Sequence, residues 1–337
     1  MPLLELKNIL EGIERSDTRS VARAISIVET QSMHLERNLI IKGIYAKTGH
    51  AGIIGITGPP GIGKSTMIGN LCKMLSSENF KVSVLAVDAS SPFSGGSLLG
   101  NRIRMQENLS RYGVFMRSLA NRGLNGGLSR AVWDAVDILD AAGNDFIIVE
   151  TVGAGQADLD IVNLADTVIV VLGPGLGDQI QAIKAGIMEI GHIFVVNKID
   201  RDGSFIAIKD LEETLAFTTQ GDWKIPVYGT NSLTMEGYGD LINGIKNHTT
   251  LVRSSPDFRR KRYKEEMRIV MQDEVSRIIN RKFNEMFLNN GEIDSLLESK
   301  TDPYSAARKI LKGNSVKLAS WSTSAGSLIF FMTVSGL

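Results

Sequence analysis

The octapeptide GPPGIGKS, at residues 58–65, is the feature that most constrains how this chain folds. It fits the pattern G-x-x-x-x-G-K-[ST] and lies between the apolar run IIGIT (53–57) and the helix-forming segment STMIGNLCKML (65–75). In such a loop, glycines let backbone N–H groups face phosphate oxygens, the lysine neutralises the β- and γ-phosphates, and the hydroxyl ligates Mg²⁺. The sequence therefore predicts a phosphate-binding loop. Its predicted nucleotide contacts are Gly58, Gly61, Ile62, Gly63, Lys64, Ser65 and Thr66.

Short apolar runs rich in β-branched residues recur after the phosphate loop and alternate with helix-like segments. These runs are IIGIT (53–57), VSVLAV (82–87), FIIVE (146–150), TVIVVL (167–172) and IFVVN (193–197). Because they are apolar on both faces, they suit the buried strands of a parallel sheet. The segments between them, such as 64–77, 128–142 and 178–190, complete βαβ units. The predicted fold class is α/β, a P-loop NTPase with a mostly parallel central sheet flanked by helices and with helical extensions at both termini.

A second motif predicts which base the nucleotide carries. Asn197-Lys198-Ile199-Asp200 follows the run at 193–197. A carboxylate there accepts two hydrogen bonds, from N1 and N2 of guanine, whereas adenine offers no matching pair of donors. The lysine stem can cover the base, and the asparagine can brace neighbouring loops. We therefore expect Asn197, Lys198 and Asp200 to bind guanine, the alternative being an Asx turn that caps the next helix.

Carboxylates at the ends of two predicted strands border the phosphate loop. Asp88 follows the run at 82–87, and Glu150 ends the run at 146–150. Such groups hold Mg²⁺ directly or through water and orient an attacking water, although either could instead cap a helix. Gly153 could donate its backbone N–H to a γ-phosphate. The predicted metal ligands are Ser65, Asp88 and Glu150, and the predicted catalytic residues are Lys64, Asp88, Glu150 and Gly153. Three arginines nearby, Arg102, Arg104 and Arg122, are better explained as solvated side chains.

Charge and cysteine content exclude several classes of function. Lys and Arg together number 37, as do Asp and Glu, so the chain lacks the basic excess of a non-specific nucleic-acid or anionic-membrane binder. One cysteine and four histidines exclude a disulfide framework and a Cys-rich zinc site. Charged residues near the N-terminus and the shortness of the apolar runs predict a cytoplasmic protein with no membrane span.

Three segments are expected along the chain: an N-terminal helical segment (1–45), a P-loop GTPase domain (46–250) and a C-terminal helical arm (251–337). Within the arm, residues 256–289 are charged and carry apolar residues at helical spacing. That apolar stripe must be buried on its own domain or on a second subunit.

Several longer strings are typical of one protein family: GPPGIGKST (58–66), VDASSPFSGGSLLGNRIRM (87–105), RGLNGG (122–127), VETVGAGQ (149–156), PGLGDQIQAIKAGIMEI (174–190) and VVNKID (195–200). By these strings the chain resembles the bacterial G-protein chaperones of adenosylcobalamin-dependent methylmalonyl-CoA mutase. The same family has been described as a kinase or ATPase of lysine/arginine/ornithine transport. The resemblance covers about residues 15–250.

This resemblance implies a SIMIBI-class GTPase that forms a homodimer, binds GTP or GDP with Mg²⁺, and couples hydrolysis to loading or protecting cobalamin in a partner acyl-CoA mutase. Asp88 and Glu150 match the family's magnesium-site carboxylates, residues 151–157 match switch II, and Lys184 matches the signalling lysine of a third switch. Ser232 is implied to contact the base. The chain contains no D-x-H-x-x-G pattern, so adenosylcobalamin should be ligated only by the partner enzyme.

The chain departs from the family at Asn101, where an aspartate is usual. Loss of that charge predicts a weakened magnesium site and slower hydrolysis, and it leaves a GTP-binding scaffold with little turnover as an alternative. An ATP-dependent kinase or ATPase of basic amino-acid transport is a second alternative, against which the N-K-I-D motif argues. A metal-inserting GTPase would need a Cys/His site that this composition does not supply.

Overall fold

A computed structural model describes residues 3–89, 97–121, 128–151, 156–175, 187–216, 219–220, 223–288 and 290–312. Within these ranges a seven-stranded sheet has the order β3-β2-β4-β1-β5-β6-β9, and every neighbouring pair is parallel. Its strands are β1 (Gly52–Thr57), β2 (Val82–Ala89), β3 (Phe115–Asn121), β4 (Phe146–Thr151), β5 (Thr167–Leu172), β6 (Ile193–Asn197) and β9 (Val227–Thr230). A separate antiparallel hairpin pairs β7 (Thr219–Gln220) with β8 (Trp223–Lys224). The predicted parallel sheet is confirmed.

All five apolar runs of the sequence form strands, whereas β3 and β9, which lie at the two edges of the sheet, were not predicted. An edge strand need not be apolar on both faces, and Arg117 in β3 forms an ion pair with Glu29 (2.7 Å). Strand β9 is only four residues long and includes Gly229, which weakens its propensity signal.

Helices cover both faces of the sheet. They are α1 (Leu3–Glu14), α2 (Thr18–Glu29), α3 (His34–Ile44), α4 (Lys64–Ser77), α5 (Ser97–Ser110), α6 (Arg130–Ala141), α7 (Gln156–Leu164), α8 (Ile187–Ile190), α9 (Ser204–Leu215), α10 (Tyr238–Ser254), α11 (Pro256–Leu288), α12 (Asn290–Glu298) and α13 (Pro303–Lys312). One apolar core joins α1–α3 to α6 and the sheet, and a second lies between the sheet and α4, α5 and α10. The N-terminal helices therefore share a core with the sheet.

The chain divides into two compact units, Met1–Val270 and Met271–Leu337. The first includes the sheet, the segment 1–45 and the beginning of α11, and the described part of the second consists of the remainder of α11, then α12 and α13. No helix within the described residues is both long and apolar enough to cross a membrane.

Buried ion pairs hold the beginning of α11 on the first unit. Arg262 lies 3.9 Å from a carboxylate oxygen of Asp137 and 3.8 Å from one of Asp166. Asp166 also accepts a hydrogen bond from the N–H of Ile53 (2.8 Å). Burial raises the pKa of Asp137, and the charge of Glu266 adds to the increase, whereas Arg262 opposes it. Arg262 thus offsets part of the effect that burial has on the pKa values of two carboxyl groups.

Asp140 orders the turn that leads into β1. Its side chain, in a residue that is 1% exposed, accepts hydrogen bonds from the backbone N–H groups of Gly49 (2.6 Å), His50 (3.1 Å) and Ala51 (2.9 Å). Because charge-assisted hydrogen bonds are stronger than neutral ones, this carboxylate fixes where β1 begins.

Two histidines pack together at the amino-terminal ends of the strands β5 and β6. His192 accepts the N–H of Val168 at Nδ1 (2.9 Å), and Nδ1 of His248 lies 2.9 Å from the hydroxyl of Thr167. Their ring centroids are 4.5 Å apart, and the ring of Trp223 packs edge-on against His248. Burial lowers the pKa of His192 to about 4 and that of His248 to about 3, so both rings are neutral at pH 7.

Candidate nucleotide-binding site

The loop at 58–63 joins the carboxyl end of β1 to the first residue of α4. Gly58 (φ +142°) and Gly63 (φ +103°) have backbone conformations that side chains rarely adopt. A Cβ at Gly58 would lie 2.1 Å from the carbonyl oxygen of Val171, and one at Gly63 would lie 2.5 Å from Nδ2 of Asn197. Glycine is therefore required at both positions by conformation and by space.

Lys64 is folded across this loop. The residue is 7% exposed, and its Nζ donates to the carbonyl oxygens of Gly58 (2.6 Å) and Pro59 (3.0 Å). Ser65 and Thr66 follow in the first turn of α4 and are exposed. An ammonium group inside the loop and a helix N-terminus behind it make this end of the sheet attractive to anions.

Glu150 lies beside the phosphate loop, because β4 runs between β1 and β2. In the register of the sheet it is opposite Ile56 of β1 and Ala86 of β2, and it is 4% exposed. The hydroxyl of Ser65 donates to Oε1 of Glu150 (3.1 Å), and Nη1 of Arg102 donates to Oε2 (2.7 Å). Two of the three predicted metal ligands are therefore in direct contact.

The interpretation of Arg102 as a solvated side chain is wrong. Its side chain is only 12% exposed and forms an ion pair with Glu150. The reason is the face of α5 on which it lies: Met105 and Leu109, three and seven residues later, are both buried in the core. Helical spacing from these two apolar residues was the signal that could have placed Arg102 toward the interior. Arg104, by contrast, is exposed, and Arg122 lies outside the described residues.

The donor set at Ser65 and Glu150 fits magnesium. Mg²⁺ prefers hard oxygen ligands, and it is usually held by one or two protein groups together with nucleotide phosphates. In the described part of the chain, no three His, Cys, Asp or Glu side chains are grouped so that they could hold a metal ion. Asp88 lies in β2 opposite Ala120, but its side chain is outside the described part of the structure.

Asn197 joins the predicted base-binding loop to the phosphate loop. It is 1% exposed, and its Nδ2 donates to the carbonyl oxygen of Ile62 (2.9 Å). Its Oδ1 accepts hydrogen bonds from the hydroxyls of Thr230 (3.2 Å) and Ser232 (2.9 Å). One amide thus connects the loops that follow β1, β6 and β9. Lys198 (φ +64°) adds a further contact between the loops that follow β6 and β1, because its Nζ donates to the carbonyl oxygen of Gly61 (2.9 Å).

Ser232 is held by residues that the sequence analysis did not single out. Its hydroxyl lies 2.8 Å from the hydroxyl of Tyr238, and its carbonyl oxygen accepts a hydrogen bond from Nδ2 of Asn70 (2.8 Å). Asp200 is exposed in the turn after β6. The structure places an Asx turn at Asn231, whose Oδ1 accepts the N–H of Leu233 (2.9 Å). Polar residues spread over α4 and α10 carry no local motif, which is why Asn70 and Tyr238 were missed.

Other predicted residues lie outside the described part of the chain. They include Gly153 in the segment matched to switch II and Lys184 in the segment matched to the third switch. The side chain of Asn101 is also outside it. Their roles stay predictions.

A glycine-rich phosphate loop and an N-K-x-D sequence, brought together at the carboxyl edge of a parallel sheet, define a P-loop NTPase of the guanine-nucleotide class. The family model described as "Methylmalonyl Co-A mutase-associated GTPase MeaB" matches residues 21–286. This chain therefore belongs to the MeaB family of SIMIBI G-proteins and is a GTPase.

Individual relatives support this family membership. The chain is 44% identical over 316 residues to "Putative GTPase PH0274" of Pyrococcus horikoshii, with 91% of this chain and 98% of that protein covered. It is 29% identical over 290 residues to "GTPase ArgK" of Escherichia coli, with 84% and 88% covered. A solved structure, "Crystal structure of LAO/AO transport system kinase", has the same fold, with a TM-score of 0.67, 22% identity, and 93% and 98% of the two chains covered.

Proposed function

We propose that this GTPase binds GTP with Mg²⁺ at the carboxyl edge of the sheet and couples hydrolysis to the loading or protection of cobalamin in an acyl-CoA mutase, in the cytoplasm. The observation that carries the nucleotide part is the contact of Asn197 with Ile62, which joins the base-binding loop to the phosphate loop (2.9 Å). The mutase part is supported by the family, which is described as methylmalonyl-CoA mutase-associated. Adenosylcobalamin would be bound only by the partner.

On the phosphate side, we assign Lys64 to the β- and γ-phosphates. To reach them, its ammonium must leave the carbonyl oxygens of Gly58 and Pro59, which it contacts in this structure. The backbone N–H groups of Gly58 and of residues 61–66 would hold the remaining phosphate oxygens. Ser65 and Glu150, with Asp88 at the end of β2, would hold Mg²⁺, which neutralises charge that develops on the phosphates.

On the base side, we assign Asp200 to N1 and N2 of guanine and Lys198 to the face of the base, with Ser232 as a further contact. The backbone of Lys198 is in the left-handed region, and its Nζ contacts the carbonyl oxygen of Gly61. Asp200 is exposed and so can be reached by a ligand. Hydrolysis itself would further use Gly153, as a donor to the γ-phosphate, and Lys184, as the residue that signals the nucleotide state to the partner.

The first test measures hydrolysis of GTP and of ATP, with and without a purified adenosylcobalamin-dependent acyl-CoA mutase. We expect turnover of GTP only, stimulated by the mutase. A preference for ATP would contradict the proposal and favour the transport kinase. Turnover selective for GTP but unchanged by methylmalonyl-CoA mutase and other acyl-CoA mutases would contradict the coupling alone.

Base selection can be tested by Asp200→Asn. An asparagine amide donates to the 2-oxo group of xanthine but cannot accept from both guanine donors, so affinity should shift from GTP to xanthosine triphosphate. The control is Asp202→Asn, which makes the same charge change at an exposed position two residues later. If Asp200→Asn binds GTP as the wild type does, Asp200 does not contact the base.

We also propose a homodimer formed through α11. In the second unit, four apolar side chains recur at every fourth residue and are each at least 45% exposed: Met271 (61%), Val275 (50%), Ile279 (45%) and Phe283 (53%). A stripe along one face can pack against the same stripe of a second copy related by a twofold axis. Sedimentation should show a dimer that Val275→Glu dissociates and Gln272→Glu does not. A monomeric wild type at micromolar concentration would refute this.

A further inference from the structure

Both carboxylate oxygens of Glu150 are already in use in this structure. Ser65 donates to Oε1 (3.1 Å), and Arg102 donates to Oε2 (2.7 Å). The side chains of the ion pair are 5% and 12% exposed, so water screens the interaction little. The group best placed to help hold a magnesium ion therefore carries a cation from its own chain.

The position of Arg102 is set by packing. Helix α5 buries Met105 (6% exposed) and Leu109 (1%) on the face that Arg102 shares. This face belongs to the same apolar core as Met67 and Leu71 of α4, the helix that begins with Lys64 and Ser65. The guanidinium is thus fixed relative to the phosphate loop by two packed helices.

A metal ion and a guanidinium that share one buried carboxylate repel each other. A magnesium ion near Glu150 would lie within a few ångströms of the guanidinium, and like charges repel strongly where water is largely excluded. The ion pair must therefore weaken or separate when the metal enters. We propose that Arg102 is a positioning residue that competes with Mg²⁺ for Glu150, holding the carboxylate in the nucleotide-free protein and releasing it when metal-bound nucleotide enters.

This inference rests on the proposed function, because it takes Glu150 to be part of the magnesium site. It has a consequence for α5: weakening of the ion pair with Glu150 changes the contacts of a side chain that this helix carries. The state of the metal is thereby transmitted to a helix that forms no part of the phosphate loop.

The test is the Mg²⁺ dependence of GDP binding, measured by titrating Mg²⁺ against a fluorescent GDP and by repeating the binding in excess EDTA. We expect Arg102→Ala to lower the half-saturating Mg²⁺ concentration by about tenfold, since hydrogen bonds to charged groups contribute ~1.5 kcal/mol or more. Arg102→Lys, which keeps the charge but loses the planar fork, should fall between Arg102→Ala and the wild type. The control Arg111→Ala removes an exposed arginine just after α5 and should change nothing.

Glu150→Gln distinguishes a failure of the proposed metal site from a failure of the proposed competition. If this variant binds Mg²⁺·GDP as the wild type does, the proposed metal role of Glu150 fails, and the inference fails with it. If Glu150→Gln raises the half-saturating Mg²⁺ concentration but Arg102→Ala and Arg102→Lys leave it unchanged or raise it, only the competition is refuted. Loss of GDP affinity by Arg102→Ala to the same extent in EDTA would also refute it, because Arg102 would then bind phosphate directly. In the Glu150→Gln background, Arg102→Ala should have no further effect.

Discussion

Replacing Asn197 with alanine tests whether one amide holds the nucleotide site together. The change removes its hydrogen bonds to Ile62 (2.9 Å), Ser232 (2.9 Å) and Thr230 (3.2 Å). Neutral hydrogen bonds contribute ~1 kcal/mol each, and the two hydroxyls can find other partners more easily than the Ile62 carbonyl oxygen can. We therefore expect the free energy of unfolding to fall by about 2–3 kcal/mol.

Asn197→Ala should weaken nucleotide binding more than a substitution elsewhere in the same loops does. Nucleotide binds the assembled loops, so ~2 kcal/mol spent on reassembling them weakens GDP binding about 30-fold. Urea denaturation without nucleotide gives the first quantity, and calorimetric titration with GDP gives the second.

Asn231→Ala is the matched control for this experiment. Asn231 is also buried (6% exposed), and its Oδ1 accepts the N–H groups of Leu233 and Thr234 within its own turn. Its loss should destabilise the fold by a similar amount but weaken GDP binding only a few-fold. If Asn197→Ala binds GDP within about threefold of the wild type, or if both variants lose affinity equally, Asn197 does not hold the nucleotide site together.

Three further predictions concern other parts of the chain. Asp140→Ala should lower the free energy of unfolding by about 3 kcal/mol in urea denaturation, because three N–H groups lose a charged acceptor; a loss below ~1 kcal/mol would contradict this. The pKa values of His192 (about 4) and His248 (about 3) lie below the usual 6.5, so the unfolded chain takes up protons first as the pH falls. Stability should therefore drop by ~2 kcal/mol per histidine between pH 7 and pH 5, and His248→Gln should flatten this slope. Asn101→Asp should raise Mg²⁺-dependent GTP turnover, and unchanged kinetics would count against a metal role at that position.

A feature could be predicted from the sequence where consecutive residues carry the pattern that the feature requires. Strands apolar on both faces, the phosphate loop and the N-K-I-D sequence each have a local pattern, and the structure brings the two motifs into contact through Asn197. Edge strands such as β3 cannot be predicted from this pattern, because a solvated face permits polar residues such as Arg117.

Contacts between distant elements could not be predicted in the same way. The pairing of Arg102 with Glu150 spans 48 residues, and that of Asn70 with Ser232 spans 162. Nothing in the local sequence of either partner specifies the other, since the contact depends on how helices dock on the completed sheet.

The folding of Lys64 onto its own loop has a consequence for how tightly nucleotide binds. Its contacts with Gly58 and Pro59 stabilise this conformation of the loop. The free energy that these contacts contribute is given up when Lys64 turns to a phosphate, so it lowers the affinity for GTP or GDP. The contacts of Lys64 thus favour weaker over tighter binding of nucleotide.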